Sequence, residues 1–299
     1  MWQPKKILIP TDFSQNANEA MLYAHLFARI YNTQCTLFHV ISLFDYDPNN
    51  PNYNFPSFDD VYNTHEQIAS EEIDKLHVKD ENILFEKKIV RGVSAADEII
   101  NFAGENGYDL IIMGTHGRSG LSHFFIGSVT EKVIRHQPCP VMAVRYQREN
   151  AIPERFEKIL VPVDFSNYSR KTLEYAVELA TNSDAFIELI HVIEEQIHPA
   201  YYVAGDVSIL KMFPDLREKS TTALRELAEN NLKQDIKFSC HVKEGKSHTE
   251  IVDFADEQDI DLIVMATHGL SGFEHFLMGS TTEKVLRKSS TPILAIKIK

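Results

Sequence analysis

The chain is written twice, and that duplication limits what it can fold into. Lys6-Ile7-Leu8-Ile9-Pro10-Thr11-Asp12-Phe13-Ser14 returns as Lys158-Ile159-Leu160-Val161-Pro162-Val163-Asp164-Phe165-Ser166, so Asp12 and Asp164 stand 152 residues apart. His39-Val40-Ile41 returns as His191-Val192-Ile193 at the same spacing. Gly117, Gly127 and Ser128 return as Gly269, Gly279 and Ser280. Solenoid units run to about 20–50 residues, so a period this long means duplicated domains. A chain of 299 residues gives each copy enough length to bury its own core. The join falls in the polar stretch around Pro153, which sets the domains at residues 1–148 and 155–299.

Each copy alternates between two periodicities. In the first, short apolar runs at residues 7–9, 36–40, 84–90, 110–113 and 141–144 read as strands. Between them lie amphipathic helical patterns. The first, capped by Ser14, puts Ala17, Ala20, Met21, Ala24, Phe27 and Ala28 on one face. Residues 61–78, 95–106 and 129–136 follow as the second, third and fourth. Strands alternating with helices imply right-handed βαβ units and a parallel sheet covered on both faces. Leu110-Ile111-Ile112-Met113 and Leu262-Ile263-Val264-Met265 suit central strands buried on both sides.

The chemistry concentrates in glycine. Seven of the 12 glycines fall in two segments, Gly114, Gly117, Gly120 and Gly127, then Gly269, Gly272 and Gly279. Each segment starts where a central strand ends and stops where a helix begins. Glycine lets a ligand come close to the backbone, and Gly127-Ser128 then opens a helix whose unpaired amides and dipole favour phosphate oxygens. The hydroxyls of Ser128 and Thr130 are candidates for further hydrogen bonds. The alternative is a tight turn with Ser128 as a simple helix cap. Asp12 lies just past the first strand. In a doubly wound sheet, ligands sit at the carboxyl ends of strands where the winding reverses. If strands one and four are neighbours, Asp12 and the glycine loop share a crevice. There Asp12 would accept a hydrogen bond from ribose or adenine, or help hold magnesium. Otherwise it is a turn carboxylate.

These residues resemble the universal stress protein family, specifically its tandem, two-domain members. The family's ATP-binding branch carries Gly-x2-Gly-x9-Gly-Ser/Thr, and Gly114, Gly117, Gly127 and Ser128 match it. Pro10-Thr11-Asp12, His39-Val40 and Pro140-Val141-Met142-Ala143-Val144 extend the resemblance across the first copy. The resemblance implies an α/β fold: two tandem Rossmann-like domains of the adenine nucleotide alpha hydrolase type. Each would hold a five-stranded parallel sheet of order 3-2-1-4-5 flanked by helices. It also implies that adenine sits by Pro10, Thr11 and Asp12, with its edge read by backbone at Val40. Ribose would lie near Met113 and Gly114. The phosphates would contact Gly117, Gly127, Ser128, Val129 and Thr130, with Arg118 as a counter-charge. The cofactor so implied is ATP, with magnesium near Asp12.

The second copy carries the same positions at Pro162, Val163, Asp164, Val192, Met265, Gly269, Gly279, Ser280, Thr281 and Thr282. It departs at Ala266, which replaces the first glycine, and at Leu270, which replaces Arg118. Alanine restricts φ and adds a methyl group. Two sites of unequal affinity are therefore expected, the first tighter.

Other features exclude or weaken rival chemistry. A net charge of −13 disfavours binding to nucleic acid or anionic membranes, although backbone amides can still hold one small phosphate ligand. No apolar run reaches the roughly 20 residues that span a bilayer. Cys35, Cys139 and Cys240 lack the spacing of a disulfide framework or zinc site, and a cytoplasmic protein is the simplest reading. The pairs His116/His123 and His268/His275 lack a carboxylate or cysteine to complete a metal set. His39 and His191 read as structural, and Cys139 as a packing residue. Residues 44–62 and 194–216 are insertions after the second strand of each copy, either lids or connections.

The leading expectation is an ATP-binding stress-response or signalling module. No general base, arginine finger or nucleophile is evident, so any hydrolysis or autophosphorylation would be slow. An ATP-using transferase or ligase, and a scaffold without nucleotide, remain the alternatives. The expected partner is an adenine nucleotide. The last strands, residues 141–144 and 293–298, are expected to join the two domains as an intrachain pseudo-dimer. A homodimer of whole chains is left open.

Overall fold

The computed structural model describes residues 2–42, 58–76, 85–117, 126–146, 153–194, 213–267 and 278–298. The chain falls into two compact units, Gln3–Ile152 and Pro153–Lys299.

The first unit runs β1 (Lys6–Pro10), α1 (Gln15–Tyr31), β2 (Gln34–Ser42), α2 (Phe58–Lys75), β3 (Phe85–Gly92), α3 (Ala95–Glu105), β4 (Leu110–Gly114), α4 (Ser128–His136) and β5 (Val141–Val144). Its strands lie in the order β3-β2-β1-β4-β5, all parallel. The second runs β6 (Lys158–Pro162), α5 (Asn167–Ser183), β7 (Phe186–Ile193), α6 (Leu216–Asn231), β8 (Phe238–Glu244), α7 (Ser247–Glu257), β9 (Leu262–Ala266), α8 (Ser280–Lys288) and β10 (Ile293–Ile296). Its order is β8-β7-β6-β9-β10, again all parallel. Both units thus show the 3-2-1-4-5 order, with the winding reversing between the first and fourth strands.

The apolar runs become central strands because both faces need cover. Ile7, Leu8 and Ile9 in β1 and Leu110, Ile111 and Ile112 in β4 have no exposed surface. The apolar face read for α1 is buried in full, from Ala17 to Ala28. Ser14 caps that helix by accepting from the Ala17 amide at 3.3 Å, and Ser166 caps α5 by accepting from Ser169 at 3.2 Å. β3 shows Glu86, Lys87 and Lys88 to solvent, as an edge strand does.

A carboxylate clamp recurs at the opposite, amino end of each sheet. Asp109 accepts from the Lys5 and Lys6 amides at 2.8 and 3.0 Å, and Asp261 from those of Glu157 and Lys158 at 2.6 and 2.9 Å. These bonds tie the start of β4 to β1 and the start of β9 to β6. The element boundaries shift slightly from expectation. α2 begins at Phe58, so the end of the 44–62 insertion is helix. Residues 43–57 and 195–212 lie outside the described residues, and with them most of both expected lids.

Candidate functional site

The reversal of winding places β1 beside both β2 and β4, so their carboxyl ends border one hollow. A cavity of about 240 Å³ opens there, lined at its centre by Pro10, Thr11 and Asp12. Val40 lines one side, with His39. Met113, Gly114 and Gly117 line the other, together with Gly127, Ser128, Val129 and Thr130 at the start of α4. Every described residue expected at the first site therefore meets in one place. Arg118 lies outside the described residues.

The second unit repeats the arrangement in a larger cavity of about 570 Å³. Pro162, Val163 and Asp164 form its centre and Val192 one side. Met265 and Ala266 lie across from Val192, beside Gly279, Ser280, Thr281 and Thr282. Gly269 and Leu270 lie outside the described residues, as do His123, His268 and His275.

The centre of each site is a strained turn. Phe13 has φ 65° and Phe165 φ 61°, left-handed values that L residues avoid. Three kinds of contact hold the turn. The Ser14 amide donates to Asp12 Oδ1 at 3.1 Å, and the Ser166 amide to Asp164 Oδ1 at 3.0 Å. The rings of Phe13 and Phe165 pack against His39 and His191, with centroids 4.7 and 4.5 Å apart. Each imidazole then donates from Nδ1 to the preceding turn carbonyl, His39 to Thr11 at 2.8 Å and His191 to Val163 at 2.7 Å. His39 and His191 accordingly brace the turns, as read from the sequence.

Gly114 is glycine for a different reason from the one expected. It sits in a regular strand, and a Cβ there would come within 2.7 Å of Asn16 Cβ and 2.8 Å of the Asn16 carbonyl carbon. The position is crowded by the first turn of α1, not by the ligand crevice. The methyl group of Ala266 occupies the matching position, so it is no ground for ranking the second site below the first. At Gly117, a Cβ would stand 2.5 Å from Asp12 Oδ2, so glycine here lets the Asp12 carboxylate lie against the loop.

The amides divide into two sets. Gly127 N–H turns inward and donates to the Thr115 carbonyl at 2.7 Å, and Gly279 N–H donates likewise to Thr267. That corrects the expectation that the Gly127 amide serves a phosphate. The first helical bond of α4 is Glu131 N–H to the Gly127 carbonyl at 2.9 Å. The amides of Ser128, Val129 and Thr130 consequently lack intrahelical acceptors, and no side chain caps them among the described residues. Ser128 and Val129 are exposed.

The hydroxyls divide too. Thr130 is buried, and its Oγ1 donates to the Gly114 carbonyl at 2.7 Å; Thr282 Oγ1 donates to Ala266 at 2.8 Å. These threonines rivet the helix to the strand end and do not reach outward, contrary to expectation. Ser128 and Ser280 keep exposed hydroxyls.

Sequence reading missed the far wall of each cavity. Ala95 and Ile99 from α3 line the first, while Ser247 and Ile251 from α7, with Glu194, line the second. The signal was present in the topology, since a helix following the third strand starts at the same carboxyl edge. Cys139 is also resolved: burial pushes its thiol up to about 12, helped by the Asp109 carboxylate, which suits a packing residue. Among the described residues, no helix is long and apolar enough to cross a membrane.

Comparison with known proteins agrees with the duplication. Residues 4–145 and 155–297 each match the family model described as the universal stress protein family. Universal stress protein MJ0577 of Methanocaldococcus jannaschii is 31% identical over 156 residues, covering 48% of this chain and 96% of that protein. MJ0531 of the same organism is 29% identical over 161 residues, covering 52% and 94%. Among solved structures, a universal stress protein from Archaeoglobus fulgidus matches 99% of both chains with a TM-score of 0.68 at 23% identity, a likeness of fold. The two family-length matches, one over each α/β unit, make this chain a tandem member of the universal stress protein family.

Proposed function

We propose that each crevice binds a nucleotide and that the chain acts as a nucleotide-dependent binding or signalling module. The first crevice takes ATP, as the match of Gly114, Gly117, Gly127 and Ser128 to the family's ATP-binding pattern implies. One observation carries the reading. The unpaired amides of Ser128, Val129 and Thr130 stand at the positive end of α4, on the rim of a cavity whose opposite side is β2. A phosphate chain over α4 and a base beside Val40 would span that cavity across β1. Asp12 Oδ1 is engaged by the Ser14 amide, and Oδ2 lies toward Gly117, which suits contact with ribose or with a magnesium ion held mainly by phosphates.

The module reading is preferred to an enzyme because, among the described residues, the central carboxylates Asp12 and Asp164 are each bonded to a backbone amide and the rim hydroxyls of Ser128 and Ser280 are neutral. Turnover should stay below about one per second, the low end of typical enzymes. The expected ranking of the first site above the second now rests on Arg118 against Leu270 alone. Native mass spectrometry and calorimetric titration of the full chain test the reading: bound nucleotide at up to two per chain supports it. A chain that binds no nucleotide at millimolar concentration refutes it.

A further inference from the structure

The two crevices differ in the charge that stands behind their phosphate ends. In the first unit, Lys132 on α4 reaches the first turn of α3, where its Nζ bonds Asp97 Oδ2 at 2.7 Å. That ammonium is neutralised. The matching residues of the second unit, 152 positions later, are Lys284 on α8 and Thr249 on α7. Thr249 carries no charge, so Lys284 keeps its own. Three further exchanges go the same way: Ser94, Ala96 and His136 become Lys246, His248 and Lys288. These positions hold one ammonium and one carboxylate in the first unit, against three ammonium groups and no carboxylate in the second.

The second set forms a cluster. Lys246, Lys284 and Lys288 are exposed, and their ammonium groups make no ion pair among the described residues. All three act on His248, from two helices. Burial holds the His248 imidazole below its usual range, and Lys288, Lys284 and Lys246 push it the same way. The Glu194 carboxylate opposes them, as the weakest of these influences. The chain as a whole carries −13, so this positive cluster runs against its overall charge.

The cluster borders the second crevice. Ser247, next to His248, and Ser280 at the start of α8 both line that cavity. Lys284 follows Ser280 by four residues, one helical turn, on the same face. Helical side chains lean back over the turn that precedes them, which aims Lys284 toward the uncapped amides of α8. From this juxtaposition we propose that Lys284, backed by Lys246, His248 and Lys288, supplies the counter-charge for a nucleoside polyphosphate in the second crevice. In the first crevice the matching lysine is held by Asp97. Affinity therefore climbs more steeply with each added phosphate in the second crevice than in the first. The proposal rests on the reading of the crevices as nucleotide sites.

The test uses the full chain in magnesium-free buffer of low ionic strength, where phosphate charge is least masked. Ser128→Glu places a carboxylate at the phosphate end of the first crevice, so titration of that chain with AMP, ADP and ATP reports the second. Ser280→Glu does the converse. Adding Thr249→Asp to the Ser128→Glu chain gives Lys284 the partner that Lys132 has. ATP affinity should then fall at least about threefold, and AMP affinity by less. Thr249→Asn, of the same shape without the charge, should leave ATP within about twofold of the parent. Lys284→Gln should repeat the loss. In the Ser280→Glu chain, Asp97→Thr should release Lys132 and raise ATP affinity by a similar factor. ATP binding unmoved by Thr249→Asp and Lys284→Gln overturns the proposal, as does an equal loss for AMP and ATP, or a loss that Thr249→Asn reproduces. If the Ser128→Glu chain binds no nucleotide while the Ser280→Glu chain binds ATP, only the counter-charge assignment fails. If neither chain binds any nucleotide, the nucleotide reading fails with it.

Discussion

Ser128→Glu separates the folding role of the α4 N-terminus from its binding role, because the two respond with opposite sign. Ser128 is the first residue of α4, exposed, with an amide that lacks an acceptor among the described residues. A carboxylate in the first turn interacts favourably with the helix dipole, by about 0.3–1 kcal/mol. For a unit of this size that corresponds to a rise in Tm of about 1–4 °C. A phosphate held by the α4 amides would put the two charges roughly 5 Å apart, within the range over which neighbouring like charges act strongly on each other. Two like unit charges at that distance repel by about 3 kcal/mol at an effective dielectric of 20, and by less than about 1 in bulk water. An exposed rim lies between these limits, so about 2 kcal/mol per phosphate charge, or roughly thirtyfold in Kd, is the expected loss. Calorimetric titration with ATP on the Ser280→Glu background isolates the first crevice, and a thermal melt without ligand reads the fold. Wild-type ATP affinity in the Ser128→Glu, Ser280→Glu chain would show that phosphate does not sit on α4. A lowered ligand-free Tm would show that the helix start is already satisfied in some other way.

Gly114→Ala should destabilise the first unit by about 1–3 kcal/mol, since its Cβ would press on α1 backbone at 2.8–3.0 Å; a denaturation midpoint matching the parent chain would contradict this. Thr130→Val should cost about 1–3 kcal/mol by stranding the Gly114 carbonyl while leaving the rim amides in place, read by urea melts with and without ATP. Burial pushes the Cys35 thiol up to about 12, so the folded chain at pH 8 should leave Cys35 unmodified by iodoacetamide on the timescale that labels unfolded chain. Burial also raises the Asp261 carboxyl, against the opposing pull of the Lys158 and Glu157 amides. The native state then holds its proton to higher pH than the unfolded chain does. That contribution is fully present below the ordinary carboxylate range and is lost as pH rises through the raised folded value, so Asp261→Asn should flatten the pH dependence of stability there.

The clearest sequence signals were those written locally and then repeated. Alternating apolar runs and helical faces determined the parallel α/β architecture, because period and burial are set by neighbours a few residues away. The 152-residue repeat determined two such domains. The Gly-x2-Gly-x9-Gly-Ser spacing at the end of a buried strand, with Asp12 at the end of another, located the crevice. Helix starts were legible at Ser14 and Ser128 for the same reason.

What the tertiary structure decided depends on pairs far apart in the chain. Gly114 must be glycine because α1 packs 98 positions earlier at Asn16, which no local pattern records. Thr130 and Thr282 look like phosphate ligands in the motif, yet a strand carbonyl 16 residues away takes their hydrogen bonds. Phe13 and Phe165 hold left-handed backbone that sequence propensity argues against, because the rings of His39 and His191 and the bonded Asp12 and Asp164 carboxylates support the turn. Glu194 and Ser247, 53 residues apart, meet only because β7 and α7 end and begin at one edge of the sheet. Close packing joins such residues through space, so their roles emerge from the folded arrangement and not from their neighbours in the chain.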